Sequence, residues 1–140
     1  MEQLVPFIIN HWGLCLALVI VLSLILINEL LDQKKRAKQL SPAAAIELIN
    51  HQNATVFDLR DAETFKKGHI IDAIRVSVDD FKQQRMEKYK PKALIFVCAQ
   101  GIQAATLATQ LRAEGFKEPM VLAGGVAAWQ TAGLPLVKGK

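Results

Sequence analysis

The residue with the clearest capacity for chemistry is Cys98, which follows a short apolar run and precedes a helical pattern. Residues 94–97 are continuously apolar, as in a strand buried within a parallel sheet. Gly101 follows, and alanine and leucine then recur at helical spacing as far as Ala113. Backbone N–H groups at such a turn, together with the helix dipole, stabilise a thiolate, the nucleophilic form of cysteine. The alternative is a buried, unreactive cysteine at a strand end, which needs neither the glycine nor the immediate helix start.

The elements that must position Cys98 alternate between short strands and helices. A β-branched and aromatic run predicts a strand over residues 55–59, and Asp58 and Arg60 lie at its C-terminal end. Alternation of this kind indicates a parallel sheet covered by helices on both faces. Ligands bind beyond the carboxyl ends of the strands in such sheets. We therefore predict an α/β domain in which Cys98, Asp58 and Arg60 occupy that edge of the sheet.

Capping residues and turn residues bound the remaining elements. Asp61 is placed to cap a short helix, and Gly68 is placed to end it. The same reasoning predicts helices over residues 42–51, 62–67 and 126–131, and strands over residues 70–76 and 120–122. The basic stretch 81–92 is predicted to be an exposed helix and connector that faces solvent or anionic lipid head groups.

The N-terminal segment differs in character from the rest of the chain. Residues 12–27 carry no charge, and apolar flanks extend this run on both sides. Because a spanning helix needs about 20 predominantly apolar residues, we predict a transmembrane anchor over residues 1–32, with the span at about 7–29. A buried core helix is disfavoured because the run is apolar on every face. A cleaved signal peptide is disfavoured because no basic residue precedes the run and no small-x-small site follows it.

The distribution of basic residues predicts the orientation of this anchor. All 17 Lys and Arg residues lie from Lys34 onward, and four of them follow the apolar run directly: Lys34, Lys35, Arg36 and Lys38. Basic residues that flank a span stay on the cytoplasmic side. We therefore expect a single-pass protein of the inner (cytoplasmic) membrane with its N-terminus outside. A basic linker over 33–39 would lead to a cytoplasmic domain over 40–137.

Length, cysteine content and charge limit the other possibilities. A chain of 140 residues can hold one domain of ordinary size. Cys15 and Cys98 lie in segments of different character, so a disulfide framework is not expected and a reducing compartment suits Cys98. The net charge of +4 is modest, and apart from Tyr89 no aromatic residue is interleaved with the basic ones. Nucleic acid is therefore not an expected partner.

Three motifs follow one another along the chain: Phe-Asp-Leu-Arg-Asp over 57–61, Cys-Ala-Gln-Gly-Ile-Gln over 98–103 and Leu-Ala-Gly-Gly over 122–125. The residues that accompany the first and third motifs are Glu63, Phe65, Gly68, His69, Ile70, Trp129, Gly133 and Pro135. In this order and spacing, the combination resembles the rhodanese-like sulfurtransferase family. The first and third motifs resemble its two signatures, and the second resembles its six-residue active-site loop. The resemblance covers about residues 39–136.

The resemblance implies a rhodanese-like parallel sheet with helices on both faces, and it implies a chemistry. The Cys98 thiolate would attack the outer sulfur of a donor such as thiosulfate or a persulfide, and a thiol acceptor would then collect the sulfur. The N–H groups that would bind this sulfur belong to Ala99, Gln100, Gly101, Ile102 and Gln103. Asp58 and Arg60 would form an ion pair that supports the loop. The chemistry requires no metal and no organic cofactor.

Three positions depart from the family pattern, and one of them, Arg75, replaces a commoner small polar residue and could supply a cation to the site. Many active members carry arginine at the position of Gln103, and a neutral amide stabilises an anionic donor less well than a guanidinium group does. Asp72 stands where the family usually has glycine, which affects the conformation of that turn. Apart from these departures, His69 is expected to hold a turn by hydrogen bonding.

Two other functions would use parts of the same sequence. The domain could be a non-catalytic adaptor that binds a membrane-protein partner, with the basic stretch 81–92 available for contact. Protein phosphatases of a related fold use a Cys-x5-Arg motif, which would require arginine at position 104. This chain has Ala104 there, and phosphoryl transfer needs an electropositive group, so the phosphatase is disfavoured.

Overall fold

The chain divides into two compact units, Met1–Lys35 and Arg36–Lys140. The computed structural model describes residues 2–82 and 84–139, and the side chains of residues 82, 84 and 85 lie outside the description. Part of the predicted basic stretch 81–92 therefore lies outside the described residues.

The first unit consists of two helices, α1 (Leu4–Asn10) and α2 (Trp12–Lys35). The most apolar part of α2 has a mean hydropathy of 2.7, and none of it is buried within the protein. At about 1.5 Å per residue, its 24 residues extend for about 36 Å, whereas a bilayer core is about 30 Å thick. Length and composition therefore make α2 a candidate membrane-spanning helix. The predicted span over 7–29 includes parts of both helices, because α1 ends at Asn10 and His11 has non-helical backbone angles.

The second unit alternates strands and helices. Its strands are β1 (Lys38–Leu40), β2 (Thr55–Asp58), β3 (Ile74–Arg75), β4 (Ala93–Val97) and β5 (Glu118–Leu122). Its helices are α3 (Pro42–Gln52), α4 (Ala62–Lys67), α5 (Ile102–Ala113) and α6 (Gly125–Thr131). Two short 3₁₀ helices, Val78–Lys82 and Gln84–Tyr89, precede β4.

Two helices begin at the capping residues that the sequence indicates. The Ser41 side chain accepts a hydrogen bond from the Ala44 N–H at the start of α3. The Asp61 carboxylate accepts hydrogen bonds from the hydroxyl and the backbone N–H of Thr64 at the start of α4. These two hydrogen bonds, the hydroxyl's first, lower the pKa of the Asp61 carboxyl below its ordinary value. The predicted starts of α3 and α4 are confirmed.

The five strands form one parallel sheet in the order β1-β5-β4-β2-β3. In the centre of the sheet, Phe96 of β4 lies in register with Phe57 of β2 and Val121 of β5. Continuous apolar runs form these strands because both faces of the sheet are covered. The predicted parallel α/β fold is confirmed.

Alternate residues of β4 pack into two separate hydrophobic clusters, one on each face of the sheet. Leu94 and Phe96 belong to the cluster that contains α5, and Cys98 continues this alternation on the same face. Ile95 and Val97 belong to the cluster that contains residues of α3 and α6. Because successive strand side chains point to opposite faces, both sides of β4 are buried, and its C-terminal end is held firmly in place.

The predicted linker and the second predicted strand differ from the structure. Residues 33–35 continue α2, and Lys38–Leu40 form the edge strand β1, so 33–39 is not a separate linker. The sequence does not indicate β1, because only Leu40 of its three residues is buried. The strand predicted over 70–76 is reduced to Ile74–Arg75. Ile70 is apolar because it packs in the core from a loop.

The basic stretch 81–92 is not an exposed helix. Its described part forms 3₁₀ turns, and Phe81 is 6% exposed. The Phe81 ring packs against three other aromatic rings, those of Phe57, Phe96 and Phe116. Tyr89 also contacts the core through an edge-on arrangement with Phe57. Aromatic residues spaced between lysines therefore attach this segment to the sheet, and the prediction of an exposed helix was wrong.

Candidate active site

Cys98 directly follows β4 at the carboxyl edge of the sheet, and it is 5% exposed. The preceding carbonyl, that of Val97, accepts the Leu59 N–H from the neighbouring strand end at 2.8 Å. The loop then makes one sharp turn before α5 begins at Ile102. The sequence-based placement of the cysteine between a buried strand and a helix N-terminus is confirmed.

The turn brings a backbone donor to the sulfur. Gly101 has φ +89, in the left-handed region that favours glycine, and its N–H donates to Cys98 Sγ at 3.0 Å. A Cβ at this position would lie 3.1 Å from the Gly124 nitrogen and 3.3 Å from the Leu122 carbonyl oxygen. Glycine is therefore required here both by the conformation and by the close approach of the next loop. The resulting N–H···S contact stabilises negative charge on the sulfur.

The first turn of α5 presents more donors from the same loop. The first intrahelical hydrogen bond runs from the Ala105 N–H to the Gly101 carbonyl. The N–H groups before it, on Ile102, Gln103 and Ala104, have no intrahelical acceptor by the geometry of any helix start. Such groups, with the helix dipole, favour a bound anion. The loop can therefore stabilise both a thiolate and an anionic sulfur compound.

The glycine pair after β5 supports the cysteine loop from the other side. The N–H groups of Val126 and Ala127 donate to the carbonyl oxygens of Cys98 and Ala99, at 2.9 and 3.2 Å. Gly125 has φ +62, and a Cβ there would overlap the Cys98 carbonyl oxygen. The sequence indicated a tight loop at these glycines but no contact with Cys98. Local patterns could not reveal this contact, because the two segments are distant along the chain.

The loop residues do not all border the same space. An open groove of about 670 Å³ is bordered by Gln100, Gly101 and Ile102, and it extends along α5 as far as Gln110 and Arg36. Gln103 instead lines a smaller cavity of about 290 Å³. The structure therefore gathers the predicted loop residues around Cys98 but divides their side chains between two sides of the α5 N-terminus.

Asp58 and Arg60 form the predicted ion pair at the end of β2. The Arg60 guanidinium contacts both carboxylate oxygens of Asp58 at 2.7–3.1 Å, and Asp58 is 1% exposed. The same guanidinium donates to the Gly68 carbonyl at 2.7 Å, at the end of α4. The pair therefore fixes the segment after β2, beside the Cys98 loop.

The two other residues noted in this region have conformational roles. His69 is buried, its Nδ1 lies 2.7 Å from the Phe65 carbonyl oxygen, and its ring stacks on Phe65. It thus holds a turn by hydrogen bonding, as predicted. Asp72 has φ 62 and so adopts the left-handed conformation that a glycine would supply. Aspartate is among the non-glycine residues that best tolerate this region, so the turn is preserved.

Comparison with known proteins agrees with this arrangement. The family profile of the Rhodanese-like domain matches residues 41–132. The whole chain is 34% identical over 143 residues to Uncharacterized protein YibN of Escherichia coli (strain K12), with 100% of each chain covered. It is also 30% identical over 93 residues to Thiosulfate sulfurtransferase GlpE of Coxiella burnetii (strain RSA 331 / Henzerling II), covering 66% of this chain and 87% of that protein.

A solved structure supports the fold independently. The crystal structure of a rhodanese-related protein from Thermoplasma volcanium superposes with a TM-score of 0.63 and 22% sequence identity, covering 73% of this chain and 99% of that one. At this level of identity the similarity establishes the fold alone. Together with the family match and the loop around Cys98, it establishes that the chain belongs to the rhodanese-like domain family.

Proposed function

We propose that the protein is a membrane-anchored sulfurtransferase or persulfide carrier that holds sulfane sulfur on Cys98. The observation that carries this proposal is the contact between the Gly101 N–H and Cys98 Sγ, at 3.0 Å, within a loop that leads directly into a helix N-terminus. An inert cysteine at a strand end needs no such donor. The family membership and the similarity to a protein named thiosulfate sulfurtransferase support the same activity.

In the first step, the Cys98 thiolate attacks the outer sulfur of a donor such as thiosulfate. The bond between the two sulfur atoms of thiosulfate breaks, and sulfite leaves with the electron pair. The product is a Cys98 persulfide with its negative charge on the terminal sulfur. The N–H groups of the loop and of the first turn of α5 would stabilise this charge and the departing anion.

In the second step, the thiolate of an acceptor attacks the terminal sulfur of the persulfide. The new bond forms on the acceptor, the Cys98–sulfur bond breaks, and the Cys98 thiolate is restored with the electron pair. The cycle moves one sulfur atom with no net change in the oxidation state of Cys98. The protein supplies a nucleophile and fixed donors, as in other two-step covalent mechanisms.

We further propose that α2 anchors the chain in the inner membrane with the rhodanese-like unit in the cytoplasm. The length and apolar composition of α2 support the anchor. Lys34 and Lys35 in its last turn support the orientation, because basic flanks stay on the cytoplasmic side. A thiolate nucleophile also requires the reducing conditions of that compartment.

The second candidate function is a catalytically weak adaptor that binds a membrane-protein partner. Two observations favour it: Cys98 is 5% exposed, and the loop carries the neutral Gln103. Both would slow a reaction with a dianionic donor. In this alternative the domain surface, rather than the sulfur, performs the function.

Mass spectrometry of the full-length protein in detergent decides between the two. After incubation with thiosulfate, we expect Cys98 to gain about 32 Da, the mass of one sulfur, as in persulfidation. Cyanide or a thiol should remove the added mass. Cys98→Ser should abolish the gain, and Cys15→Ser should retain it. A folded protein whose Cys98 stays unmodified with thiosulfate and with a small persulfide would contradict sulfur transfer and favour the adaptor.

A further inference from the structure

Six exposed or partly exposed basic side chains lie at the amino edge of the sheet, opposite the carboxyl edge that carries Cys98. We call this surface the basic edge; it comprises Arg36, Lys38, Lys90, Lys92, Arg112 and Lys117. Lys38 begins β1, and Lys92 and Lys117 directly precede β4 and β5. Because all strands are parallel, residues that precede them gather at one edge.

The structure brings these side chains close together. Lys38, Arg112 and Lys117 border a single cavity of about 360 Å³, together with Gln52 at the end of α3. The Lys117 N–H donates to the Lys90 carbonyl at 2.8 Å, which joins the segment before β4 to the segment before β5. The sequence separates these residues widely, so the cluster is a product of the fold.

Within the described part of the chain, few acidic groups offset this charge. Glu118 borders the same cavity, Glu87 pairs with Lys90 at 3.5 Å, and Glu114 lies near the end of α5. Among the described side chains, six cations therefore face three carboxylates, and the edge remains positive. A concentrated positive surface of this kind attracts anions over a distance of about 8 Å at physiological salt.

The first residues of the domain are fixed to this same edge. The Arg112 guanidinium donates to the Arg36 carbonyl at 2.7 Å, and the Ala37 N–H donates to Thr109 Oγ1 at 3.2 Å. Arg36 directly follows Lys35, the last residue of α2. The hydrogen-bonded start of the domain is therefore joined to α2 by a single peptide bond.

We propose that the basic edge binds the phosphate head groups of the anionic bilayer in which the chain is anchored. This inference rests on the proposed anchoring by α2. Phosphate carries the complementary charge, and a cluster of basic residues just cytoplasmic of a span is the usual pattern for anionic lipid. A bilayer is also the anionic surface that lies closest to Arg36 once α2 is inserted.

This contact would determine where the sulfur chemistry takes place. Lys92 and Cys98 bracket β4, so they are separated by about 20 Å along the strand at about 3.3 Å per residue. A domain resting on its basic edge therefore holds Cys98 away from the lipid. The acceptor would be a thiol that arrives from the cytoplasm rather than one embedded in the membrane.

Fluorescence quenching in vesicles tests this orientation with the full-length chain. Two proteins, both in a Cys15→Ser, Cys98→Ser background, carry a fluorophore at Gln52→Cys on the basic edge or at Gln103→Cys beside the catalytic loop. They are reconstituted into phosphatidylglycerol–phosphatidylcholine vesicles that contain a nitroxide-labelled head group. We expect stronger quenching at position 52 than at position 103. The excess of quenching at position 52 over position 103 should shrink in pure phosphatidylcholine vesicles and at high salt.

A charge-matched pair of variants isolates the basic edge. The first triple variant carries Lys38→Gln, Lys92→Gln and Lys117→Gln. It should lose most of the excess quenching at position 52. A control triple variant removes the same charge from other exposed positions: Lys66→Gln, Lys67→Gln and Lys138→Gln. This variant should retain the excess quenching at position 52. Equal quenching at both labels, or an excess that the first triple variant leaves intact, would overturn the proposal.

Extraction with alkaline carbonate distinguishes failure of the lipid contact from failure of the membrane anchor. If alkaline carbonate removes the chain from the vesicles, both the anchoring and the lipid contact are wrong. If the chain resists carbonate but the two labels are quenched equally, only the lipid contact is wrong. The mass-spectrometric test of Cys98 is independent of either result.

Discussion

Two loops leave adjacent strands at the same edge of the sheet, and they differ in how far the protein satisfies their polar groups. After β2, the Asp58 carboxylate accepts hydrogen bonds from both the backbone N–H and the guanidinium of Arg60. After β4, the Cys98 sulfur accepts the Gly101 N–H, and the first turn of α5 directs further donors to the same region. In the first loop the charged groups satisfy one another, whereas in the second loop backbone N–H groups remain available to bind an external anion.

The comparison indicates that formal charge and the capacity to react lie in different loops. A buried ion pair whose partners satisfy each other holds a segment in place but offers nothing to a ligand. A nucleophile beside fixed backbone donors can stabilise charge that develops during a reaction. The loop after β2 carries the formal charges, yet the loop after β4 is the one that suits the proposed chemistry.

The largest expected effect comes from Gly125→Ala, which would displace the reactive loop. A Cβ at position 125 would overlap the Cys98 carbonyl oxygen and approach the Ala99 carbonyl carbon to 2.8 Å. Because a shift of about 1 Å at a reacting group costs about 100-fold in rate, persulfide formation should slow by at least that factor. A mass-spectrometric time course at Cys98 measures this rate.

Gly133→Ala is the matched control for the backbone strain. Gly133 has φ +76, but apart from its chain neighbours no atom of the described residues lies within 4 Å of a Cβ built there. This substitution should lower the free energy of unfolding by about 1 kcal/mol through the positive φ alone and leave the rate at Cys98 unchanged. Similar rate losses in both variants would mean that the contact between Gly125 and the loop is not what matters.

The next effect is on stability and comes from Asp58→Asn in the other loop. The change leaves the Arg60 guanidinium, whose side chain is 9% exposed, without its carboxylate. Removing one member of a buried pair costs about 3 kcal/mol, which denaturant unfolding of the detergent-solubilised protein would measure. The rate of persulfide formation in the folded protein should change far less than in Gly125→Ala.

A double-mutant cycle sharpens this prediction. Asp58→Asn combined with Arg60→Gln should recover part of the lost free energy, because no uncompensated charge remains buried. A large rate loss at Cys98 in the folded Asp58→Asn protein would contradict the division between the two loops. Asp58 would then belong to the reactive site.

Strong local patterns account for what the sequence predicts correctly. The strand before Cys98 is a continuous apolar run, and α5 ends at Ala113, where its helical spacing ends. Ser41 and Asp61 cap helices through contacts with residues three positions along the chain. Each of these signals lies within a single element, so the residues alone contain it.

The features that the sequence does not reveal depend on contacts between distant segments. β1 becomes a strand through pairing with β5, because one buried leucine, Leu40, is too little to indicate a strand. Phe81 is buried by rings from three other segments, although charged neighbours surround it along the chain. Gly125 supports Cys98 from a strand away. A pattern read along one element contains no information about such partners.

The smallest effect, and the one most specific to the donor, is expected from Gln103→Arg. Gln103 lies in the first turn of α5, two positions after Gly101, and its side chain is exposed. A guanidinium there adds a charge-assisted donor for dianionic thiosulfate, and about 1.4 kcal/mol of added attraction corresponds to a tenfold lower KM. The exposed position predicts little change in stability. Steady-state sulfur transfer from thiosulfate measures the effect.

Gln110→Arg is the control, because Gln103 and Gln110 line the same cavity. Seven residues of helix separate them by about 10 Å, so the second substitution adds the same charge at a greater distance from the sulfur. It should change the KM for thiosulfate much less, and both substitutions should change the KM for a persulfide donor, which carries one negative charge, less than the KM for dianionic thiosulfate. An equal response to both arginines would mean that the protein's overall charge attracts the donor. No response to either would mean that the side chain at position 103 does not face the donor, leaving the backbone amides around Cys98 as the groups that bind it.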